Sequence, residues 1–89
     1  MHIKQFQELI RKRYARRDLQ KGTPATFMWF VEEVGELATI LAEKDSTNRE
    51  KQEEFADVFA WLCTLANIND VDIESACKKY TESQQQDYK

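Results

Sequence analysis

Residues 27–41 read Phe-Met-Trp-Phe-Val-Glu-Glu-Val-Gly-Glu-Leu-Ala-Thr-Ile-Leu. Apolar residues recur in this stretch at steps of three and four, which predicts a helix with one buried face. The predicted buried residues are Phe27, Phe30, Val34, Leu37 and Leu41. The same spacing returns after a polar break and predicts a second helix, which buries Phe55, Val58, Leu62, Leu65 and Ala66. Two apolar helices joined by a polar turn therefore form the centre of the fold.

Each of these helices also carries two acids three residues apart. The pairs are Glu33 with Glu36 and Glu54 with Asp57. At about 100° per residue, each pair shares a helical stripe with a tryptophan and an isoleucine. The flanking residues are Trp29, Ile40, Trp61 and Ile68. Since such residues seldom border a solvated acidic face, we expect the four carboxylates to point into a partly buried site.

The polar break at residues 45–48 separates the two acidic pairs by similar distances along the chain. If the helices fold back antiparallel, each pair lies roughly 15 Å from the turn, so the pairs meet at a similar height. Like charges about 4 Å apart repel by roughly 4 kcal/mol even at a surface-like dielectric constant. Protonation or cations must relieve this repulsion. All-oxygen ligand sets suit Mg²⁺ or Mn²⁺, so we expect a site for one of these ions.

Composition limits the class of protein. The chain has 89 residues with two glycines and one proline, which predicts one domain, residues 1–89, built from a few long helices. The net charge is −3, and only the first 21 residues are basic, so a nucleic acid polymer is not an expected partner. No apolar run is long enough for a signal sequence or a membrane span. We expect a soluble, cytoplasmic protein with no membrane partner.

Start and stop signals predict an all-α bundle of four helices. Gly22 and Pro24 separate the first helix from the second. Thr47 and Glu50 fit a capping box for the third helix, and Asp72 is the expected N-cap of the fourth. The predicted helices are residues 3–20, 24–43, 48–67 and 73–85.

The two central helices are apolar on more than one stripe, which a monomer of this size cannot easily cover. We therefore expect at least a dimer, with the second stripes buried between subunits or around the site.

Gly35 lies between two of the acids. A glycine here would let a neighbouring helix or a substrate approach closely. Simple packing explains the glycine equally well.

The two acidic motifs together resemble the MazG-like all-α nucleotide pyrophosphohydrolases. The resemblance rests on Glu-Glu-x-x-Glu at residues 32–36, followed by Glu-x-x-Asp at residues 54–57, and it extends from about Phe6 to Lys79. It implies Mg²⁺-dependent hydrolysis of a nucleoside triphosphate to the monophosphate and pyrophosphate by a dimer or tetramer. It also implies that Glu33, Glu36, Glu54 and Asp57 are the metal ligands and catalytic residues.

Four further residues are candidates for substrate binding. The family often has a lysine near its C-terminal end that helps to hold the triphosphate, and Lys79 matches it. The asparagine that follows in the family has no counterpart here, and the chain ends in Asp-Tyr-Lys. Arg16 is the candidate phosphate contact in the basic first helix, with a solvated basic face as the alternative. Trp29 and Trp61 either stack on a base or belong to the core.

Other possible functions fit the sequence less well or belong to a different class of protein. A di-iron bundle needs Glu-x-x-His pairs, and the single histidine, His2, is terminal. A serine or cysteine nucleophile lacks a histidine base for the same reason. Two alternatives remain open. One is a non-catalytic helical module for oligomerisation or regulation, in which the acids hold a structural metal, and the other is an ordinary helical bundle with the acids on its surface.

Overall fold

The structure, a computed structural model, describes residues 1–82, and at residues 15 and 17–19 only the backbone. All regular secondary structure in this part of the chain is helical, which confirms the all-α class. The helices are α1 (Ile3–Ala42), α2 (Asn48–Ile68), α3 (Ile73–Ala76) and α4 (Lys78–Thr81). Within residues 1–82, none of the helices combines the length and apolarity that crossing a membrane requires. Residues 83–85 of the predicted fourth helix lie outside the described residues.

Gly22 divides α1 into two arms. Its φ of 73° and ψ of 176° are not helical, and such positive φ angles are easily adopted only by a residue without a Cβ atom. The N-terminal arm (residues 3–21) and the C-terminal arm (residues 23–42) correspond to the first two predicted helices. They follow one another directly across this kink, because Pro24 fits the first turn of the C-terminal arm, where its missing N–H is not needed.

Local hydrogen bonds begin the later helices where the sequence predicts. The Glu50 backbone N–H donates to Thr47 Oγ1 at 3.1 Å, and the Thr47 N–H donates to Glu50 Oε1 at 3.0 Å. This capping box starts α2. Asp72 Oδ1 accepts from the backbone N–H groups of Glu74 and Ser75, at 3.1 and 3.4 Å, and starts α3. Both predicted caps are confirmed.

The prediction of one continuous fourth helix is wrong at Cys77, where α3 gives way to α4. The Tyr80 N–H donates to the Cys77 carbonyl at 3.0 Å, three residues back. A three-residue step winds the backbone more tightly than the four-residue step of an α-helix. The chain therefore forms two single turns here.

Gln7 ties the N-terminal arm to the end of α2 and the start of α3. Its Nε2 donates to Asn67 Oδ1 at 2.9 Å and to the Val71 carbonyl at 2.7 Å, and its Oε1 accepts from the Ile73 N–H at 3.0 Å. Arg11 Nη2 also donates to Asn67 Oδ1, at 3.2 Å. The side chain of Gln7 is buried, and these bonds satisfy both ends of its amide.

The C-terminal arm contacts α2 along its length. Thr23 Oγ1 accepts from Asn69 Nδ2 at 3.2 Å, and the ring of Trp29 stacks on that of Trp61. Farther along α1, carboxylates of residues 33 and 36 meet Glu54. Residues that come later in α1 therefore contact residues that come earlier in α2.

The apolar faces are less buried than the sequence predicts. Phe27, Val34 and Leu41 are all more than a third exposed, so their predicted burial is wrong for the single chain. Thr26 is fully buried, and Phe27, the next residue along the helix, points about 100° away from it. Phe55 and Leu62 of α2 are exposed as well. Among the described residues, the buried hydrophobic ones are Ile10, Cys63 and Ala66.

Candidate active site

Three of the four predicted acids form one group. Glu33, Glu36 and Glu54 each offer a carboxylate oxygen, and these oxygens lie within 4.8 Å of one another. Glu33 and Glu36 lie on one turn of the C-terminal arm, because an i,i+3 pair shares a helix face. Glu54 comes from the second turn of α2. Two helices therefore bring together acids from both sequence motifs.

Burial and mutual repulsion disfavour the ionised acids. Glu33 and Glu54 are half-buried, and the Oε2 atom of each is buried with no hydrogen-bond partner in the described residues. Burial raises the pKa of both carboxyls above the ordinary value of 4.5, and the charges of Glu36 and Asp57 raise each pKa further. A buried oxygen without a partner costs free energy, which a cation would recover. This all-carboxylate donor set fits a hard divalent ion.

Asp57 lies beside this group and not within it. Its carboxylate is exposed, yet it is close enough that its charge raises the pKa of Glu33 and Glu54. Asp57 also lines a cleft of about 160 Å³ between the N-terminal arm and α2. The residues around this cleft are Ile10, Tyr14, Asp57, Ala60, Trp61 and Thr64. Of the four acids, Asp57 therefore borders a cavity with both polar and aromatic walls.

The two tryptophans bridge the acid-bearing helices. The ring centroids of Trp29 and Trp61 are 6.2 Å apart and the ring planes differ by 14°, an offset stack. Trp29 lies one helical turn before Glu33, and Trp61 lies one turn after Asp57. The Nζ atom of Lys21 lies 5.5 Å from the Trp29 ring centroid, within cation–π range. The stack therefore joins α1 to α2 one turn from the carboxylates.

Residues 22–86 match the MazG nucleotide pyrophosphohydrolase domain. The chain belongs to the MazG family. The match begins at the Gly22 kink and includes the C-terminal arm and α2, which carry all four acids. MazG domains are nucleotide pyrophosphohydrolases and generally use a divalent metal, so the family and the donor set agree. No individual curated protein matches the chain significantly.

The other predicted substrate contacts of this MazG domain lie elsewhere. The Nζ atom of Lys79 is 4.8 Å from the ring centroid of Tyr80. Lys79 lines a separate apolar groove, whose lining includes none of the four acids. Arg16 is exposed on the N-terminal arm and does not line the cleft beside Asp57.

Sequence reasoning missed two cleft residues and Lys21. Tyr14 is not among the predicted site residues, although it continues the apolar spacing of Ile3, Phe6 and Ile10 with a side chain that carries a hydroxyl. Thr64 lies seven residues after Asp57 and so faces the same side of α2, which the helical period could have shown. No sequence signal places Lys21 over Trp29, because their contact depends on the angle of the Gly22 kink.

Proposed function

We propose that this MazG domain is a Mg²⁺-dependent nucleoside triphosphate pyrophosphohydrolase. It would cleave an NTP or dNTP between the α- and β-phosphates and release the monophosphate and pyrophosphate. The observation that carries the proposal is the group formed by Glu33, Glu36 and Glu54, in which two carboxylate oxygens are buried without a partner. A cation would relieve the repulsion among carboxylates this close, and a site that holds Mg²⁺ suits phosphate chemistry.

Glu33, Glu36 and Glu54 would hold the ion, with Asp57 as the fourth acid of the site. When bound, Mg²⁺ offsets the negative charge of the phosphate oxygens. Mn²⁺ suits the same oxygen ligands. The half-buried positions of Glu33 and Glu54 exclude part of the surrounding water, which strengthens their interaction with the substrate–ion complex.

Asp57 is the residue that we assign to proton transfer. Its carboxylate lies outside the three-oxygen group and borders the cleft, so it can accept a proton from the attacking water while the other acids hold the ion. The water's oxygen ends on one phosphate product and the bridging oxygen leaves with the other. All four acids are thus proposed as catalytic.

The cleft beside Asp57 is the proposed place for part of the nucleotide. Trp61 lines it, and Trp29 stacks on Trp61, so either ring offers an aromatic surface for a base. Arg16 and Lys79 are proposed phosphate contacts, because guanidinium and ammonium groups bind phosphate oxygens. The contact of each tryptophan with the other also fits a role in holding the two helices together.

The proposed assembly is a homo-oligomer of one helical domain, residues 1–89, whose C-terminal arm and α2 pair antiparallel. The opposite order of contacts along the two helices supports the pairing. The few buried hydrophobic residues among those described support the oligomer. We propose a cytoplasmic protein, supported by the unpaired thiols of Cys63 and Cys77. The acidic site favours a nucleotide–ion complex over a nucleic acid polymer as its partner.

Pyrophosphate release tests the proposal directly. Canonical and modified nucleoside triphosphates are incubated with Mg²⁺ and the wild type, Glu36→Gln or Asp57→Asn, with Glu32→Gln as the control for an exposed acid on the same helix. We expect release that requires Mg²⁺, is lost in the first two variants and persists in the control. If a folded wild type that binds Mg²⁺ releases no pyrophosphate from any nucleotide, the hydrolase proposal fails. The non-catalytic module with a structural metal then replaces it.

A further inference from the structure

The cleft beside Asp57 is closed at one end and open at the other. Ile10 and Thr64 line it and are only 6 and 2% exposed, respectively, so they form its closed end. Asp57 is exposed and lies at its mouth. The mouth is the end nearer the other acids, since Glu54 lies one turn before Asp57 on α2. From mouth to closed end the cleft follows α2 for about 10 Å, at 1.5 Å per residue.

The N-terminal arm supplies one wall of this cleft and α2 supplies the other. Ile10 and Tyr14 come from the arm, whereas Ala60, Trp61 and Thr64 come from α2. The match to the MazG domain begins at residue 22, so the wall contributed by the arm lies outside the matched residues. The shape of the cleft is therefore a property of this chain that the family match does not determine.

Contacts about one turn before Ile10 hold the arm against α2. The rings of Phe6 and Phe59 stack, with their centroids 5.5 Å apart. The next residue of the arm, Gln7, is buried and donates to Asn67 Oδ1 at 2.9 Å. These contacts fix the distance between the two walls, so the cleft is formed before a ligand arrives. A pre-formed cavity can select among ligands by their size.

The lining of the cleft suits an uncharged planar ring. Trp61 provides an aromatic wall, and its stack on Trp29 fixes the plane of its ring. Tyr14 provides a second aromatic side chain, and Thr64 brings a hydroxyl group to the closed end. None of the described residues that line the cleft is a lysine or an arginine, and Asp57 at the mouth is acidic. A triphosphate would therefore stay outside with the ion, while the base enters.

The volume of the cleft decides which bases fit. This volume is about 160 Å³. A protein cavity of about 150 Å³ holds one benzene molecule, so the cleft has room for a single six-membered ring. A pyrimidine base is such a ring, whereas a purine has a second ring fused to it. A purine must push a wall outward or leave part of its surface in water, and either change costs binding free energy.

We propose that this MazG domain selects pyrimidine nucleoside triphosphates, and that Tyr14 of the N-terminal arm is the residue that excludes purines. The proposal names the substrate class of the proposed hydrolase and rests on that function. Tyr14 is the larger of the two side chains that the arm contributes, so its ring limits the width of the cleft. Cytosine, uracil and thymine share a ring carbonyl that accepts from a hydroxyl such as that of Thr64, so the cleft selects the class and not one base.

Steady-state kinetics in Mg²⁺ test this size limit. The measured quantity is kcat/KM for CTP, UTP, ATP and GTP and for their deoxy forms. We expect values at least about tenfold higher for the pyrimidines, the scale on which a pocket rejects a group that fits poorly. Tyr14→Ala widens the cleft and should bring the two classes together, whereas Tyr14→Phe keeps the ring and should keep the preference. Equal values for both classes in the wild type, or an unchanged preference in a folded Tyr14→Ala protein, overturns the proposal.

A substitution on the opposite wall tests the limit without removing a contact of the arm. Ala60→Val adds two methyl groups to the lining and should lower kcat/KM for the pyrimidines while the affinity for Mg²⁺ is unchanged. Ala56→Val is the matched control, because Ala56 is exposed on the same helix and does not line the cleft. If the two variants lose the same activity, the cleft does not hold the base and the proposal fails.

Binding separates this inference from hydrolysis. Calorimetry in Mg²⁺ compares cytidine and adenosine triphosphate analogues in which a methylene group replaces the oxygen between the α- and β-phosphates. Tighter binding of the cytidine analogue, lost in Tyr14→Ala, supports the cleft even if the protein releases no pyrophosphate from any nucleotide, in which case only the hydrolase proposal fails. If both analogues bind equally and both classes of nucleotide are hydrolysed equally, the hydrolase stands and the selection of pyrimidines is refuted.

Discussion

Glu33→Gln is expected to stabilise the protein when no divalent cation is present. The Glu33 carboxylate lies within 4.8 Å of oxygens from two other acids, Glu36 and Glu54. A pair of unit charges at that distance repels by about 0.9 kcal/mol with the dielectric constant of water and about 3.5 kcal/mol with an effective value of 20. Because the site is open to solvent on one side, we use the lower figure. Removing the Glu33 charge should then raise the free energy of unfolding by about 1–2 kcal/mol.

Adding Mg²⁺ should cancel this difference in stability. At a free Mg²⁺ concentration ten times its dissociation constant, the wild type gains about 1.4 kcal/mol, and a variant that lacks one ligand gains less. Thermal unfolding in EDTA and in Mg²⁺ measures both effects at one fixed protein concentration. For a domain of this size, 1 kcal/mol corresponds to about 4–8 °C in Tm. The variant should therefore melt several degrees above the wild type in EDTA and lose that advantage when Mg²⁺ saturates the wild type.

Glu32→Gln is the matched control, since Glu32 is exposed on the same helix turn. Its effect should stay within about 0.5 kcal/mol in either buffer. A Glu33→Gln protein that is less stable than the wild type in EDTA would refute the idea of crowded carboxylates. An undiminished gain from Mg²⁺ in that variant would refute the metal site.

Other predictions concern pH, the buried amide, the α2 cap and the thiols. Because the pKa values of Glu33 and Glu54 are raised, protons compete with the ion, so Mg²⁺ affinity measured by calorimetry should fall as pH falls toward those values. The stability of the metal-free protein has the opposite trend: it should fall as pH rises from 4.5 through the raised pKa values, because the folded state binds the protons more tightly. Gln7→Ala removes one of the two donors to Asn67 Oδ1 and leaves the Val71 carbonyl and the Ile73 N–H without the Gln7 amide. It should cost about 3 kcal/mol in urea unfolding, whereas a loss below 1 kcal/mol would contradict the role of the network. Thr47→Ala should cost about 1 kcal/mol through the lost α2 cap, and an equal loss in Thr47→Ser, which keeps the capping hydroxyl, would show that the cap is not the cause. Burial raises the pKa of the Cys63 thiol to about 11, so a thiol reagent at pH 8 should label one cysteine in the folded protein and two after unfolding.

The sequence was sufficient to predict those structural features that depend on residues close to one another in the chain. Thr47 and Asp72 cap helices through bonds that span two or three positions, so their roles follow from local order. The meeting of Glu33 and Glu36 with Glu54 follows from two further regularities, the helical period and the similar distance of each motif from the turn. Neither regularity requires knowledge of the rest of the chain.

The sequence was insufficient where distant parts of the chain decide which residues are in contact. The bonds of Gln7 reach partners 60–66 residues away, and nothing beside Gln7 in the sequence announces them. Phe27 and Val34 follow the spacing of a core, but the same spacing serves an interface between subunits, so the pattern cannot distinguish the two. The break at Cys77 has no glycine or proline to mark it.

The buried amide of Gln7 also has a consequence for how the chain folds during synthesis. Its acceptors and donor, up to the Ile73 N–H, are added 60–66 residues later. At about 5–20 residues per second, the N-terminal arm waits roughly 3–13 s after its own synthesis before these partners exist. For most of that time the apolar residues of the arm are uncovered, because Phe59, on which Phe6 stacks, is itself added late. The order of translation therefore places the N-terminal arm, which is made before α2 and α3, among the last elements to be secured. Chains that end before residue 67 should expose this arm to proteases and chaperones.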